Sequence, residues 1–212
     1  MKKSLLVLVI FGAFTATAAV QANDIGATAE IGSTGVGVHI VVPVKNQLNA
    51  RFGFNVLNHN YSTDTNSAHY DVSLRPRAFD ALLDYYPAAG SFRVTGGLVY
   101  NKNNKYDVTG TPVVATKYTF VGTLDFNKVA PYLGIGWGNA VAKGKGWGFT
   151  ADAGVLFQAT PDTSLTSPGC TASAAACARL ASGVAAENAA LQDKVNNFKY
   201  FPVLRVGVSY QF

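Results

Sequence analysis

The last eleven residues of the chain, 202–212, alternate between apolar side chains and polar or small ones. A period of two residues is the geometry of a β-strand, in which successive side chains point to opposite faces. The stretch therefore predicts a terminal strand with one apolar and one polar face, and the chain ends on the apolar face with an aromatic residue. The apolar positions are Leu204, Val206, Val208, Tyr210 and Phe212, and the others include Arg205, Gly207, Ser209 and Gln211.

The same alternation recurs at 36–44, 48–56, 77–86, 92–100, 132–139 and 147–157. These segments and the terminal strand make seven, and a bacterial membrane barrel is expected to have an even number. We therefore place an eighth strand at 25–32, although it is shorter than the roughly 9–11 residues that a spanning strand needs. Hydrogen bonding between this first strand and the last one would close the barrel and leave no free edge.

Composition supports a barrel over a soluble domain or a helical membrane protein. Charged residues make up 14% of the chain, whereas soluble domains carry about 25%. Alternation dilutes the apolar residues of a barrel, so they do not form the long continuous run of a membrane helix.

The N-terminus, 1–22, has the features of a secretory signal peptide. Lys2 and Lys3 precede the apolar segment 5–14, and small residues before Ala22 favour cleavage after it. The alternative, a retained inner-membrane anchor, would need about 20 apolar residues. Removal of both lysines lowers the formal charge from +5 to +3, which is too small to indicate binding to nucleic acid.

Loop lengths predict the orientation of the barrel, because bacterial barrels have short periplasmic turns and long external loops. The short turns are 45–47, 87–91 and 140–146, and the long loops are 58–67, 101–129 and 160–197. We expect 101–129 to form an extended hairpin. Segment 172–196 is rich in alanine and has apolar residues at helical spacing, so it is either a helix within the loop or partly disordered. The apolar stripe of such a helix either packs on the barrel rim or binds a partner. That stripe consists of Leu180, Val184, Leu191 and Val195.

Cys170 and Cys177 lie in the last long loop. Secretion places them in an oxidising compartment, so we expect a local disulfide. Neither a metal site nor a cofactor is expected, because no histidine or further cysteine lies near them.

Seven charged or titratable side chains fall on the inward, polar phase of their strands. An eight-stranded barrel has an interior barely wide enough for its own side chains, and buried charges must pair. We therefore predict a salt-bridge network that fills the lumen. A functional conduit or a binding pocket is the alternative. A narrow water-filled cavity would fit the gaps left by Gly97, Gly134, Gly136, Gly154 and Gly207. The network residues are His39, Arg51, Asp80, Asp84, Arg93, Asp152 and Arg205.

Aromatic side chains cluster near the ends of the strands that we expect to be periplasmic. Such a girdle anchors a barrel at the lipid interface. The predicted girdle consists of Tyr85, Phe92, Trp137, Trp147, Tyr210 and Phe212.

A hydrolase site is the remaining possibility. A histidine with an aspartate can act as a general base, but the candidate residues lack the spacing of a known motif, so we expect no catalytic residue. The candidates are His59, His69, Asp64, Asp71 and Ser67.

Together, the signal peptide, the alternating strands and the terminal sequence Ser209-Tyr210-Gln211-Phe212 resemble the small outer-membrane β-barrel superfamily, which includes the OmpA transmembrane domain, OmpX and OmpW. The resemblance implies an all-β, eight-stranded antiparallel transmembrane barrel, with a helix in the long external loop before the last strand. It implies residence in the outer membrane, contact with lipid and lipopolysaccharide, and recognition of Tyr210 and Phe212 by the barrel-assembly machinery.

Members of this superfamily act as scaffolds, adhesins or passages for small hydrophobic molecules. The first hypothesis is a structural or surface-interaction barrel, in which the loops would carry out any binding of a surface ligand, whose identity the sequence does not indicate. The alternatives are a narrow channel for small or hydrophobic solutes and a barrel-embedded hydrolase.

Overall fold

The computed structural model describes residues 25–65, 68–112, 120–141, 145–167, 170 and 173–212. The signal peptide predicted at 1–22 and the candidate Ser67 lie outside the described residues.

The described chain forms thirteen strands, one α-helix and a short 3-10 helix at Asn196–Lys199. The strands are β1 (Gly26–Gly32), β2 (Gly35–Lys45), β3 (Leu48–Val56), β4 (His59–Asp64), β5 (Ala68–Leu74), β6 (Arg77–Tyr85), β7 (Phe92–Asn101), β8 (Lys105–Pro112), β9 (Phe120–Asp125), β10 (Val129–Trp137), β11 (Gly146–Phe157), β12 (Asp162–Thr166) and β13 (Tyr200–Gln211), and the helix is α1 (Ala174–Val195).

Eight of these strands form a closed barrel in the order β1-β13-β11-β10-β7-β6-β3-β2, and each strand is antiparallel to its neighbours. The predicted eight-stranded antiparallel barrel is therefore confirmed. The short strand β1 closes it: Gly26 lies opposite Gln211 of β13 and opposite Val41 of β2. Closure pairs the backbone groups on both sides of every strand, which a bilayer requires.

One predicted strand is displaced along the sequence. The alternation suggested 132–139, but β10 begins at Val129, where pairing with Tyr100 of β7 starts. The early start includes Pro131, which lies opposite Leu98 of β7, one residue before pairing with β11 begins at Tyr132. A proline is tolerated at such a strand end, because its missing N–H costs no ladder hydrogen bond.

The outer surface of the barrel is apolar and the interior is polar. Trp147 is 77% exposed and Phe149 is 82% exposed, while Arg51 is 1% exposed. An apolar patch of this extent is rare on a soluble monomer and marks a surface that another apolar medium covers. The exposed belt includes Val38, Ile40, Leu133, Ile135, Leu204 and Val206.

A second, five-stranded sheet, called here the outer sheet, has the order β12-β9-β8-β5-β4. Its strands continue five of the eight barrel strands beyond the belt, at the long-loop end, whereas β1, β2 and β13 have no continuation. The prediction that 58–67 is a polar loop is therefore wrong for 59–64, which forms β4 and pairs with β5. The predicted extended hairpin between 101 and 129 corresponds to β8 and β9.

The outer sheet has its own apolar core, closed by α1. Ser173 caps the helix by accepting a hydrogen bond from the backbone N–H of Ala176, and the helix packs against β12. Of the helices that the structure describes, none is long and apolar enough to cross a membrane. The buried core consists of Ala68, Tyr70, Val72, Tyr106, Val108, Phe120, Leu124, Leu165, Val184, Leu191 and Val195.

We expect the refolded protein to migrate faster on a denaturing gel without boiling than after boiling, because a closed ladder of hydrogen bonds resists detergent. Val206→Pro should abolish the fast band, since it removes a ladder N–H in β13, whereas Val206→Ala should keep it. A protein that stayed monomeric in water without detergent would contradict the barrel's membrane role.

Candidate functional site

The centre of the barrel interior is occupied by Arg51 of β3. Its Nη1 donates to Asp152 Oδ2 at 2.9 Å and to Glu30 Oε1 at 3.3 Å, and its Nη2 donates to Asp84 Oδ1 at 3.2 Å. These carboxylates come from β11, β1 and β6. One guanidinium thus ties together four strands across the lumen.

Arg93 shares two of these carboxylates. Its Nη2 donates to Asp152 Oδ2 and to Thr150 Oγ1, both at 2.8 Å, and its Nε lies 3.7 Å from Asp84 Oδ1. Thr95 Oγ1 donates to the same Asp84 oxygen at 2.6 Å. Asp84 and Asp152 therefore each bridge two arginines, which fixes the section of the lumen nearer the short turns.

The section nearer the long loops is built around Asp80. Asn55 Nδ2 donates to Asp80 Oδ2 at 2.7 Å, and His39 Nε2 lies 3.1 Å from the same oxygen. Arg205 is less tightly held: its Nη1 lies 3.6 Å from Asp80 and 4.0 Å from Glu30, and its Nε donates to Thr34 Oγ1 at 3.0 Å.

The structure brings together all seven residues predicted for the lumen network and adds Glu30, which the sequence analysis missed. Glu30 contacts Arg51, His39 and Arg205. The signal that could have identified it is the alternation within β1, which puts Thr28 and Glu30 on the same inward face, with Thr28 opposite His39.

His39 lies between two carboxylates of the interior. Thr28 Oγ1 donates to Glu30 at 3.3 Å and lies 3.3 Å from His39 Nδ1. On the other side of the ring, His39 Nε2 lies 3.1 Å from Asp80 Oδ2. His39 thus links the carboxylates of β1 and β6 across the described part of the lumen.

The glycines expected to leave gaps instead make room for neighbouring side chains. A Cβ on Gly136 would lie 2.6 Å from Asp152 Oδ1 and 2.8 Å from Arg93 Nε, and one on Gly134 would lie 2.5 Å from the Tyr132 hydroxyl. These positions therefore belong to a packed interior, and the gap interpretation is wrong for them.

A cavity of about 740 Å³, called here the mouth cavity, lies between the barrel's long-loop end and the outer sheet. Its floor includes Arg205, Asn55 and Asn101, all buried. The apolar residues of its roof come from the outer sheet and α1. They are Val72, Leu74, Tyr106, Leu124, Phe126, Leu191 and Val195.

The exposed residues of the lining mark where the mouth cavity meets solvent. They include Tyr61 and Phe198, whose rings meet edge to face with centroids 5.8 Å apart. Ser33 and Thr34 of the β1–β2 turn also belong to the lining. His59 and Lys194 are also exposed members of the lining.

The six residues predicted for the aromatic girdle lie near the short-turn end. The Trp147 ring lies 5.1 Å from Tyr210, which lies 5.2 Å from Phe212, and Trp137 lies opposite Phe92. Tyr85 projects outward from the end of β6. Such rings suit the boundary between lipid and water.

A second aromatic group, which the sequence analysis did not identify, lies near the long-loop end. Phe157 and Tyr200 are exposed and paired with centroids 5.7 Å apart, and Tyr100 lies outward near the end of β7. The sequence signal that could have identified this second group is the presence of aromatic residues at apolar positions at both ends of a strand.

Of the two histidines among the hydrolase candidates that the structure describes, His69 is the one with carboxylate partners. Its Nδ1 lies 2.6 Å from Asp64, and its Nε2 lies 3.6 Å from Asp71. The hydrogen bond to Asp64 raises the pKa of His69 above 6.5. His69 is exposed while Ala68 and Tyr70 are buried, so it projects from the outer sheet away from the apolar core. His59 lies apart from this group, at the mouth cavity.

A disulfide joins Cys170 and Cys177, with the Cα atoms 5.8 Å apart. It ties the first turns of α1 to the preceding loop. Across the described residues, no group of three or more His, Cys, Asp or Glu side chains is placed to hold a metal ion.

Replacing Arg51 by Met should lower the free energy of unfolding by about 3–5 kcal/mol, because Glu30, Asp84 and Asp152 would lose a buried partner. Equilibrium urea unfolding of the refolded protein in detergent measures this change. The matched control is Arg77→Met, at an exposed position at the start of β6. Equal effects of the two substitutions would contradict a central role for Arg51.

We expect the NMR titration midpoint of His69 to lie above 6.5 and to fall in Asp64→Asn. The folded-state pKa is raised, so the His69–Asp64 attraction is fully present below the unfolded pKa and is lost as pH rises through the folded one. A midpoint that did not change in Asp64→Asn would contradict the assigned hydrogen bond.

The chain matches no family model and no curated protein. It is similar in structure to CarO from Acinetobacter baumannii, with 24% sequence identity and a TM-score of 0.57, over 88% of this chain and 97% of that one. It is also similar to CarO2 from the same organism, with 22% identity and a TM-score of 0.59, over 89% and 98% of the two chains.

A major outer membrane protein from Thermus thermophilus aligns over 89% of this chain and 97% of its own, with 14% identity and a TM-score of 0.43. The two Acinetobacter structures show the fold of this chain, and at these sequence identities they show nothing beyond the fold. The chain has the fold of a small, eight-stranded outer-membrane β-barrel.

Proposed function

We propose that the protein is an integral outer-membrane barrel whose lumen is closed by its own charged side chains, and that its function at the cell surface resides in the outer sheet and α1. The observation that carries this proposal is the position of Arg51, which contacts carboxylates on three other strands across the interior. A structural or surface-interaction role fits a barrel whose centre is filled in this way.

Residence in the outer membrane is supported by the exposed apolar belt between two groups of aromatic side chains. Short turns of such barrels face the periplasm, so the outer sheet and the mouth cavity would face the cell exterior. The belt would contact lipid, and lipopolysaccharide would surround the end that carries Tyr200. This location requires export, for which we propose that 1–22 is removed as a signal peptide.

The last strand supports assembly by the barrel-assembly machinery. Tyr210 and Phe212 lie on its outward phase, and the backbone N–H of Phe212 donates to the carbonyl of Ile25 at 3.1 Å. The strand that would be recognised in the unfolded chain is therefore also the strand that closes the barrel against β1.

Passage of small solutes is the second candidate function. One observation favours it: the mouth cavity ends directly on Arg205. The distance from Arg205 to its nearest carboxylate is 3.6 Å, against 2.9 Å for Arg51 and 2.8 Å for Arg93. If the network opens, this end would open first.

A barrel-embedded hydrolase is less well supported. His69 lies with Asp64 and Asp71 on the exposed face of the outer sheet, and Ser62 Oγ donates to Asp71 at 2.7 Å. Neither His69 nor these aspartates line the mouth cavity. The arrangement is that of a surface ion pair, which forms without a bound substrate.

Planar-bilayer recordings test the closed lumen. The wild-type protein should show no discrete conductance steps, whereas Arg51→Ala should show them, because the substitution removes the side chain that spans the lumen. Arg77→Ala, which removes an exposed arginine, should behave like the wild type. Discrete steps in the wild type that persisted after shortening of the β8–β9 hairpin would overturn the closed-lumen proposal and support passage.

A further inference from the structure

We infer that the mouth cavity is a binding site for an amphipathic monoanion, a carboxylate on an apolar body, held with the carboxylate toward Arg205 and the apolar body under the outer sheet. This inference goes beyond the proposed function, because such a ligand could be held at the mouth whether or not the lumen conducts.

The size and lining of the cavity fit a small organic molecule. Its volume of about 740 Å³ lies within the range of roughly 300–1,000 Å³ that is usual for such sites. The upper wall is apolar and aromatic, with Tyr106, Leu124 and Phe126 from the outer sheet and Leu191 from α1. Polar groups gather on the floor, at Asn55, Asn101 and Arg205. An occupant with one polar end and one apolar end matches this division.

The charges of the lining select the sign of the ligand. The lining contains Arg205 and Lys194 and no aspartate or glutamate among the described residues. Arg205 is buried at the floor and Lys194 is exposed at the opening, so an entering anion meets a positive charge at both ends of its path. The same positive charges would repel a cation of the same shape.

Arg205 is held less closely by its carboxylates than the other two lumen arginines are. Arg51 and Arg93 each donate to carboxylates at 2.8–3.3 Å, whereas Arg205 Nη1 makes no hydrogen bond to the described protein and lies 3.6 Å from its nearest carboxylate, that of Asp80. The residue is nevertheless buried, with 3% exposed. A ligand carboxylate would supply a closer acceptor, and the guanidinium is suited to bind it with two N–H groups.

Asp80 and Glu30 set the strength of this interaction. Both attract Arg205 from the lumen side, at 3.6 and 4.0 Å from Nη1, and so partly offset its charge. A ligand carboxylate therefore competes for Arg205 rather than meeting an isolated cation. This competition favours reversible binding and connects occupancy of the cavity to the lumen network.

Methyl NMR of the refolded protein tests the site, with 4-phenylbutyrate as the probe and 4-phenylbutyramide and 4-phenylbutylamine as neutral and cationic controls. Saturable shifts are expected at Leu124, Leu156 and Leu191, which line the cavity. Leu133 and Ile135, on the lipid-facing belt, report partition of the probe into detergent and should stay unchanged. Dodecanoate, delivered dissolved in the lipid of a nanodisc, tests whether the ligand enters the cavity out of the bilayer or out of water.

Arg205→Gln should weaken phenylbutyrate binding by about ten-fold or more, since it removes a charge-assisted hydrogen bond. The matched control is Arg179→Gln, which removes an exposed positive charge from α1 outside the cavity. The amide and the amine should bind more weakly than the carboxylate to the wild type.

Thr63→Trp keeps the test decisive if Arg205→Gln fails to fold. Thr63 is a half-buried lining residue of β4, so the larger side chain should fill the cavity and abolish the shifts while every charge remains. Equal shifts with all three probes, parallel shifts at Leu133 and Ile135, or unchanged binding in Thr63→Trp would each overturn the inference. None of these outcomes bears on the conductance test of the closed lumen.

Discussion

The structure depends on the pairing of buried charges inside the barrel, which is too narrow to hold water around them. A closed eight-stranded barrel satisfies its backbone in lipid, but its interior is only wide enough for side chains. Arg51 would be costly in that space alone, and so would Glu30, Asp84 and Asp152. Together they cross-link four strands through one guanidinium. The same contacts that make the charges tolerable therefore also occupy the centre of the lumen.

The network is not uniform along the barrel axis, and the gradient gives the two ends different properties. Near the short turns, Arg93 and Arg51 share Asp84 and Asp152, with hydrogen bonds as short as 2.8 and 2.9 Å to Asp152. Near the long loops, Arg205 reaches its carboxylates only at 3.6 and 4.0 Å and lines the mouth cavity. The section near the short turns resists rearrangement, whereas the section near the long loops presents the charge of Arg205 to the mouth cavity. Closure and recognition can thus be carried by one network, at different depths.

Alternation predicted the barrel because each strand separates an apolar outer surface from a polar interior. The odd or even position of a residue along its strand therefore assigns its side chain to one of these two environments. That is why Arg51, Asp80, Asp84 and Arg93 could be assigned to the interior from the sequence. Glu30 was missed because β1 is short, so its phase was not followed. Of the outer sheet, the sequence predicted only the hairpin that β8 and β9 form. β4 was missed because it is rich in polar residues and forms a strand only through pairing with β5. The mouth cavity could not be predicted at all: Asn55, Phe126, Leu191 and Arg205 are distant in sequence, and tertiary packing alone brings them together.

The protein therefore has two cores that are stabilised by different physics, with the mouth cavity between them. The barrel is held by backbone closure and ion pairs, whereas the outer sheet and α1 are held by burial of apolar side chains such as Tyr70 and Leu191 from water. Leu191 and Val195 belong to the outer core and also line the cavity. A shift of α1 on the outer sheet would therefore change the cavity, whereas the barrel beneath shares no strand with that sheet. Access to the cavity can thus be controlled separately from closure of the barrel.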